Sequence, residues 1–278
     1  MINYLNYNGR FFSADAAVLP ANNMSYRYGD GVFETMKVAN GNILFAAYHF
    51  ERLFSGMEVL KFKVPSLFTV EKIRDEVKAL CQKNNCERLA RIRFSVSRGN
   101  GGLYDCDNNF SYLIECWPLE EKVFNETGLV IDIFPDARKS NDVFSNLKSA
   151  NYLPYIMAAV WAKENKLNDA LILNQHGRIC DATIANVFWV KGNKIFTPPL
   201  TEGCVAGVMR RRILDLGVGI SDLGLNINES VLTEEILLKA DEVFLTNVIT
   251  GIRWVKQFRV KTYNNQLAGK LLGRLSSI

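Results

Sequence analysis

Asn146-Leu147-Lys148-Ser149-Ala150-Asn151-Tyr152-Leu153 sets a lysine between small and apolar neighbours, at the edge of a stretch with helical patterning. An apolar setting destabilises the charged amine, lowers its pKa and leaves a neutral nucleophile. A lysine of that kind is what Schiff-base chemistry needs. The competing reading is a snorkelling cation, whose stem covers apolar surface while its charge meets water. The rest of the chain has to choose between them. Only two histidines occur, His49 and His176, which argues against a histidine-rich metal site and leaves few ways to build a histidine-based triad. Any catalysis is therefore expected from a lysine or a cofactor. Cys81, Cys86, Cys106, Cys116, Cys180 and Cys204 include no CxxC pair and read as reduced, mostly buried thiols, so no metal site is expected.

The chain has 278 residues, 48% hydrophobic and 22% charged, with a formal net charge of +4. These are the proportions of a globular protein with ample core, divided into about two domains. Arg210-Arg211-Arg212 is the one basic block, so nucleic acid is not an expected partner. Met1-Ile2-Asn3-Tyr4-Leu5 lacks the charge and apolar run of an export signal, and no apolar run is long enough to span a bilayer. A soluble, cytoplasmic protein without a membrane partner is expected.

Working outward from Lys148, the N-terminal part opens with turn chemistry. Asn8-Gly9 and Asn40-Gly41 each separate two strand-like runs and predict hairpins. Phe50, Leu53, Phe54, Met57 and Leu60 recur at helical spacing, as do Val70, Ile73, Val77 and Leu80. Arg91–Ser97 alternates, and Ser111–Trp117 continues a sheet. The charged stretch Pro118–Gly128 reads as a linker, giving an N-terminal α/β domain over 1–117 and a C-terminal domain over 129–278. In the latter, Leu129–Phe134 reads as a buried strand and Tyr152–Lys166 as a helix. Strands then follow at Ala170–Asn174, Ile179–Ala182, Asn186–Val190 and Lys194–Thr197. A helix over Val208–Leu216, a strand over Glu242–Thr246 and a last helix near Gln266–Leu275 complete it. The class is α+β.

Four constellations have chemical potential, each beside a plainer reading. Gly203 and Gly207 lead into a helix N-terminus, which suits a phosphate; a loop needing glycine explains them too. Arg52 lies off the apolar face of its helix, as a phosphate clamp or an exposed arginine. Asp181, among apolar strand residues, must be paired or functional, and a protonated pyridine nitrogen is a natural partner. Arg91, Arg93 and Arg98 either read a substrate carboxylate or line a solvated sheet face.

Taken together and in order, five segments resemble the pyridoxal-phosphate enzymes of class IV, fold type IV, a family that includes branched-chain aminotransferases, D-amino acid aminotransferases and aminodeoxychorismate lyases. They are Tyr28-Gly29-Asp30-Gly31-Val32-Phe33-Glu34, His49-Phe50-Glu51-Arg52-Leu53, Leu147 to Leu153, Gly177 to Phe188, and Glu202-Gly203 through Arg210. The resemblance covers nearly the whole chain. It implies a small N-terminal α/β domain and a larger pseudo-barrel C-terminal domain that binds pyridoxal 5'-phosphate. By the same resemblance, Lys148 is the lysine that bonds the cofactor and moves the substrate proton. Arg52 and the backbone N–H groups of Val208 and Met209 hold the phosphate, Asp181 pairs with the pyridine nitrogen, and Asn247 belongs to a turn lining the site. Arg93, Phe33, Thr250 and Arg98 are expected at the substrate. A homodimer is implied, the partner completing the site.

Some positions depart from the pattern. Asp181 stands where most members carry glutamate. No histidine follows Arg98, where the D-amino acid enzymes place an Arg-x-His pair. Arg91-x-Arg93 replaces the Tyr-x-Arg of the branched-chain enzymes. Val248 replaces a hydroxyl residue of many aminotransferases, which leans toward the lyases, as do the chain length and the short Lys148-Ser149-Ala150-Asn151 spacing. An aminotransferase acting on an amino acid and a 2-oxo acid is expected, with a lyase releasing pyruvate from aminodeoxychorismate as the alternative.

Overall fold

The computed structural model describes residues 3–120, 126–219 and 226–276. The chain forms two compact units. Unit 1 comprises Met1–Glu121 together with Leu147–Tyr152; unit 2 comprises Lys122–Asn146 and Leu153–Ile278. Residues 121–125 of the expected linker lie outside the described residues.

Unit 1 runs β1 (Tyr4–Tyr7), β2 (Arg10–Ser13), α1 (Met24–Tyr28), β3 (Gly31–Ala39), β4 (Asn42–Ile43), α2 (Ala46–Val59), α3 (Val70–Lys83), β5 (Leu89–Ser97) and β6 (Ser111–Pro118). The strands form one antiparallel sheet in the order β2-β1-β6-β5-β3-β4. Both Asn-Gly turns have positive φ at both central residues (52° and 81°; 49° and 76°), the geometry of tight hairpins. Thr69 caps α3 by accepting the Lys72 N–H. Leu53, Met57, Ile73 and Leu80 pack with Met36, Ile92 and Phe94 in one core. Alternation sends Phe33, Thr35, Arg91 and Arg93 to the other face of the sheet. The short α1 carries no readable periodicity; Asn23 caps it, and Gly29, at φ 69°, ends it.

The Lys148 segment belongs to unit 1 because it pairs with the start of β3. The Phe33 N–H donates to the Lys148 carbonyl at 2.9 Å and the Ala150 N–H to the Gly31 carbonyl at 2.8 Å. This accounts for the Gly29-Asp30-Gly31 motif. A Cβ on Gly29 would lie 3.3 Å from Asn151 Cα, and one on Gly31 would lie 2.5 Å from the Val96 carbonyl oxygen. The glycines admit other backbone of the same unit.

Unit 2 runs β7 (Leu129–Lys139), α4 (Leu153–Glu164), β8 (Asp169–Asn174), β9 (Ile179–Ala182), β10 (Asn186–Lys191), β11 (Lys194–Thr197), α5 (Val208–Gly219), β12 (Asn226–Glu229), α6 (Glu234–Lys239), β13 (Glu242–Asn247), β14 (Gly251–Phe258), β15 (Lys261–Thr262) and α7 (Gln266–Ser276). Its sheet has the order β12-β11-β10-β13-β14-β7-β8-β9, with β15 on β14. Pairs β7–β8, β7–β14 and β11–β12 are parallel and the rest antiparallel. A turn between Ala182 and Ala185 leads β9 directly into β10, so the sheet curls on itself. Ile131, Leu171, Val187, Leu245, Val255 and Phe258 are buried together inside unit 2. The class is α+β, as expected. The strand read as ending at Phe134 runs on to Lys139, past Pro135 and a register shift, where charged residues hide it from a hydrophobicity pattern. β14 escaped notice because its buried residues, Ile252, Val255 and Phe258, fall three apart instead of alternating. Among the described residues no helix is long and apolar enough to cross a membrane.

Candidate active site

In unit 1, Lys148 reaches into an aromatic corner. Its Nζ lies 4.5 Å from the centre of the Phe33 ring and 5.5 Å from that of Tyr152, and the two rings meet edge to face at 5.6 Å. Arg93 places its Cζ 3.9 Å from the Phe33 ring centre. The apolar neighbours of this lysine are aromatic, and their π faces attract cations. Burial pulls the Arg93 guanidinium below its ordinary value, opposed by the carboxylate of Glu115, its register partner on β6. Burial pushes the Glu115 carboxyl up. Lys148, Arg93 and Phe33 are thus brought together.

Arg52 sits one turn along α2 from His49, and both meet Glu34 of β3. Glu34 is buried; its Oε1 accepts from Arg52 Nε at 2.7 Å and its Oε2 from Arg52 Nη2 at 2.5 Å. His49 Nδ1 lies 2.6 Å from Glu34 Oε2. Burial alone would raise the Glu34 pKa, but the Arg52 charge and the hydrogen bonds from His49 and Arg52 outweigh it and hold the carboxyl at about 2. Glu34 therefore fixes the guanidinium by a fork-to-fork pair. Arg98 is placed differently: it pairs with Asp30 at 2.6 and 3.1 Å and donates to the Leu60 carbonyl at 2.7 Å. Those bonds anchor the loop after β5. A cavity of about 470 Å³ beside it is lined by Tyr28, Asp30, Arg98, Tyr104 and Cys106 among others.

In unit 2, Asp181 of β9 is buried and gathers four donors. Its Oδ2 accepts from Lys139 Nζ at 3.0 Å, the Tyr155 hydroxyl at 2.8 Å and the Val205 N–H at 3.0 Å; its Oδ1 accepts from Asn186 Nδ2 at 3.1 Å. A carboxylate has about four lone-pair sites. Oδ2 is crowded, while Oδ1 has capacity for one further donor, such as a protonated ring nitrogen. Asn186 also donates to the Val205 carbonyl at 2.9 Å, binding the loop before α5 to the Asp181 site. A Cβ on Gly207 would lie 1.8 Å from Asn186 Oδ1, so glycine is required there for close packing.

Val208 and Met209 begin α5, where the first N–H groups precede any intrahelical acceptor and can meet an anion. Neither side chain offers a hydroxyl, and neither does Val248. Asn247 holds its turn: Oδ1 accepts the N–H groups of Ile249 and Thr250 and the Thr250 hydroxyl. Next to it, the Thr246 hydroxyl is buried without a hydrogen-bond partner among the described residues. A buried orphan hydroxyl in a strand paired with Asn186 suits a polar ligand.

Sequence reasoning missed Glu34 as the holder of Arg52, and Lys139, Tyr155, Asn186 and Val205 as the holders of Asp181. The only available signal was indirect: buried charges need partners.

The model of the amino-transferase class IV family matches residues 31–258. A putative branched-chain-amino-acid aminotransferase of Methanocaldococcus jannaschii is 29% identical over 275 residues, covering 96% of this chain and 92% of that one. The aminodeoxychorismate lyase of Vibrio harveyi is 29% identical over 244 residues, covering 84% and 85%. Among solved structures, a branched-chain amino acid aminotransferase of Escherichia coli superposes with a TM-score of 0.88 at 21% identity, covering 100% of this chain and 94% of that one; at that identity the likeness concerns the fold.

Proposed function

The chain belongs to the class IV amino-transferase family, and on that premise we propose that it is a pyridoxal-phosphate-dependent aminotransferase. It moves an amino group from an amino acid to a 2-oxo acid. The observation that carries this reading is Lys148 Nζ held against Phe33 and Tyr152 with Arg93 at the same ring.

Unit 2 carries groups that suit the cofactor: the spare acceptor capacity of Asp181 Oδ1, the orphan Thr246 hydroxyl and the N-terminus of α5. Pyridoxal phosphate, when bound, supplies an electron sink for the substrate carbon that loses its proton. Lys148 would hold the cofactor through its Nζ, and the freed amine would take the proton from the substrate carbon and carry it for return. Phe33 and Tyr152 keep water from the amine. Arg52, oriented by Glu34, and the Val208 and Met209 N–H groups hold the phosphate. With hydroxyls absent at 209 and 248, charge and backbone carry more of that task. Asp181, its charge balanced by Lys139, favours a protonated ring nitrogen. Arg93 reads a substrate carboxylate. Arg98, tied to Asp30 and Leu60, is not assigned to the substrate.

A homodimer completes this reading. Leu153, Ile156, Met157 and Val160 expose an apolar stripe along α4 that a second copy would cover.

One alternative has support of its own. The relatives include aminodeoxychorismate lyases, and Val248 and the short Lys148-to-Asn151 spacing lean the same way. A screen of amino donors, following spectral conversion of the bound cofactor in a single turnover, separates the two when run beside a pyruvate-release assay on aminodeoxychorismate. Conversion by at least one amino acid, with a 2-oxo acid formed, supports the aminotransferase. Pyruvate release without conversion by any amino acid overturns it.

A further inference from the structure

Cys81, Cys86 and Cys116 lie in unit 1, all three buried, with their sulfurs within 4.8 Å of one another. The Cys86 and Cys116 sulfurs are 3.6 Å apart. We propose that these three thiols form a binding site for a thiophilic divalent cation, with zinc as the physiological ion.

The local fold builds the cluster. α3 ends in a turn with Asn85 at φ 53°, and the Cys86 N–H bonds the Cys81 carbonyl at 3.0 Å, folding Cys86 back beside Cys81. β6 supplies Cys116 from the sheet, opposite Ile92. With a metal–sulfur distance of about 2.3 Å, three sulfurs around one tetrahedral ion stand about 3.8 Å apart. The 3.6 Å between the Cys86 and Cys116 sulfurs and the 4.8 Å limit on all three bracket that value, so closure needs shifts of about an ångström at most.

Polar surroundings distinguish the cluster from ordinary packing, in which cysteine behaves as a small apolar residue. Asn84 directs its Nδ2 at Cys116 Sγ from 3.0 Å. The amide cannot turn away easily, because Oδ1 accepts the N–H groups of Asn3 and Tyr4 and Nδ2 also donates to the Tyr4 carbonyl. Thiolate is the ligating form, so a bound ion must displace the three thiol protons. The Leu80 and Cys81 carbonyls lie 3.8 and 3.7 Å from the Cys116 and Cys86 sulfurs. They sit at the negative end of α3, which favours a cation and offers oxygen for a fourth position. Three thiols and one divalent ion give a tris-thiolate of net charge −1 and release three protons to solvent. A monovalent ion would leave −2 in the core, which burial disfavours more. The four-residue gap from Cys81 to Cys86 lies at the long end of zinc-ligand spacings, but no second such pair accompanies it and Cys116 is distant in sequence, which is why the three read as inert thiols in the sequence.

The test uses the full chain with pyridoxal phosphate bound and no added thiol. Cadmium serves as the spectroscopic probe and zinc as its competitor. The expected result is one equivalent of cadmium bound, with thiolate-to-cadmium charge-transfer absorption that zinc suppresses. X-ray absorption at the cadmium edge should show three sulfurs. Cys116→Ser removes the absorption, while Cys106→Ser, outside the cluster, retains it. Wild-type protein without the band, or with two or fewer sulfurs around the metal, overturns the proposal. So does a band that survives in Cys116→Ser. The wild-type measurements decide the matter even if the buried substitution impairs folding.

Discussion

Lys148, Arg52 and Asp181 each depend on side chains that the sequence places far from them. Glu34 lies 18 residues before Arg52, and Lys139 lies 42 before Asp181. The three residues themselves were singled out because their local patterns resemble those of a family. Their partners were not, since strand pairing rather than spacing brings them together. Two consequences follow at this scale. Replacing Asp181 by Asn leaves Lys139, with a side chain 10% exposed, without its counter-charge. Breaking a buried pair in this way costs about 3–5 kcal/mol, and a urea titration of Asp181→Asn should show a loss of that order. Glu34 gives a pH signature. Its folded pKa, about 2, lies below the ordinary 4.5, so its stabilisation is complete above 4.5 and is lost as pH falls toward 2. At about 1.4 kcal/mol per pKa unit the effect amounts to a few kcal/mol. The stability difference between wild type and Glu34→Gln should therefore shrink across that acidic window and stay constant above it. A constant difference down to pH 2 would contradict the account.

Elements with a strong local signal were read from the sequence: both Asn-Gly hairpins, α2, α3, β5, β6 and α5. α1 and α6 are too short for periodicity to show, and β14 and the far half of β7 alternate imperfectly because neighbours on both sides, rather than pattern alone, hold them in the sheet. The loop entering α5 is the element most exposed to a small change. Gly207 packs against Asn186, which donates both to Asp181 and to the Val205 carbonyl. One added methyl must displace Asn186 and, through it, the α5 N-terminus. Gly207→Ala is expected to weaken pyridoxal-phosphate affinity at least tenfold, measured by fluorescence titration, with far-ultraviolet circular dichroism close to wild type. An unchanged affinity would show that this loop does not serve the cofactor.

At the scale of the molecule, the exposed apolar stripe of α4 suits the self-association proposed above. Met157→Glu, which puts a charge into that stripe, should shift the protein from dimer to monomer in sedimentation velocity; a wild-type monomer would remove the α4 argument. The two-unit α+β fold was legible once the five segments were seen in register. The substrate was not, because Arg91, Arg93, Arg98 and Val248 follow no single subgroup and their settings emerge only from the folded chain. The central claim rests on Lys148 as the residue that bonds pyridoxal phosphate. The direct measurement is borohydride reduction of the cofactor-loaded protein, followed by peptide mapping by mass spectrometry. The account predicts a phosphopyridoxyl group on Lys148 and no stable adduct in Lys148→Ala. A group fixed on a different lysine, or none on the wild-type chain, would contradict it.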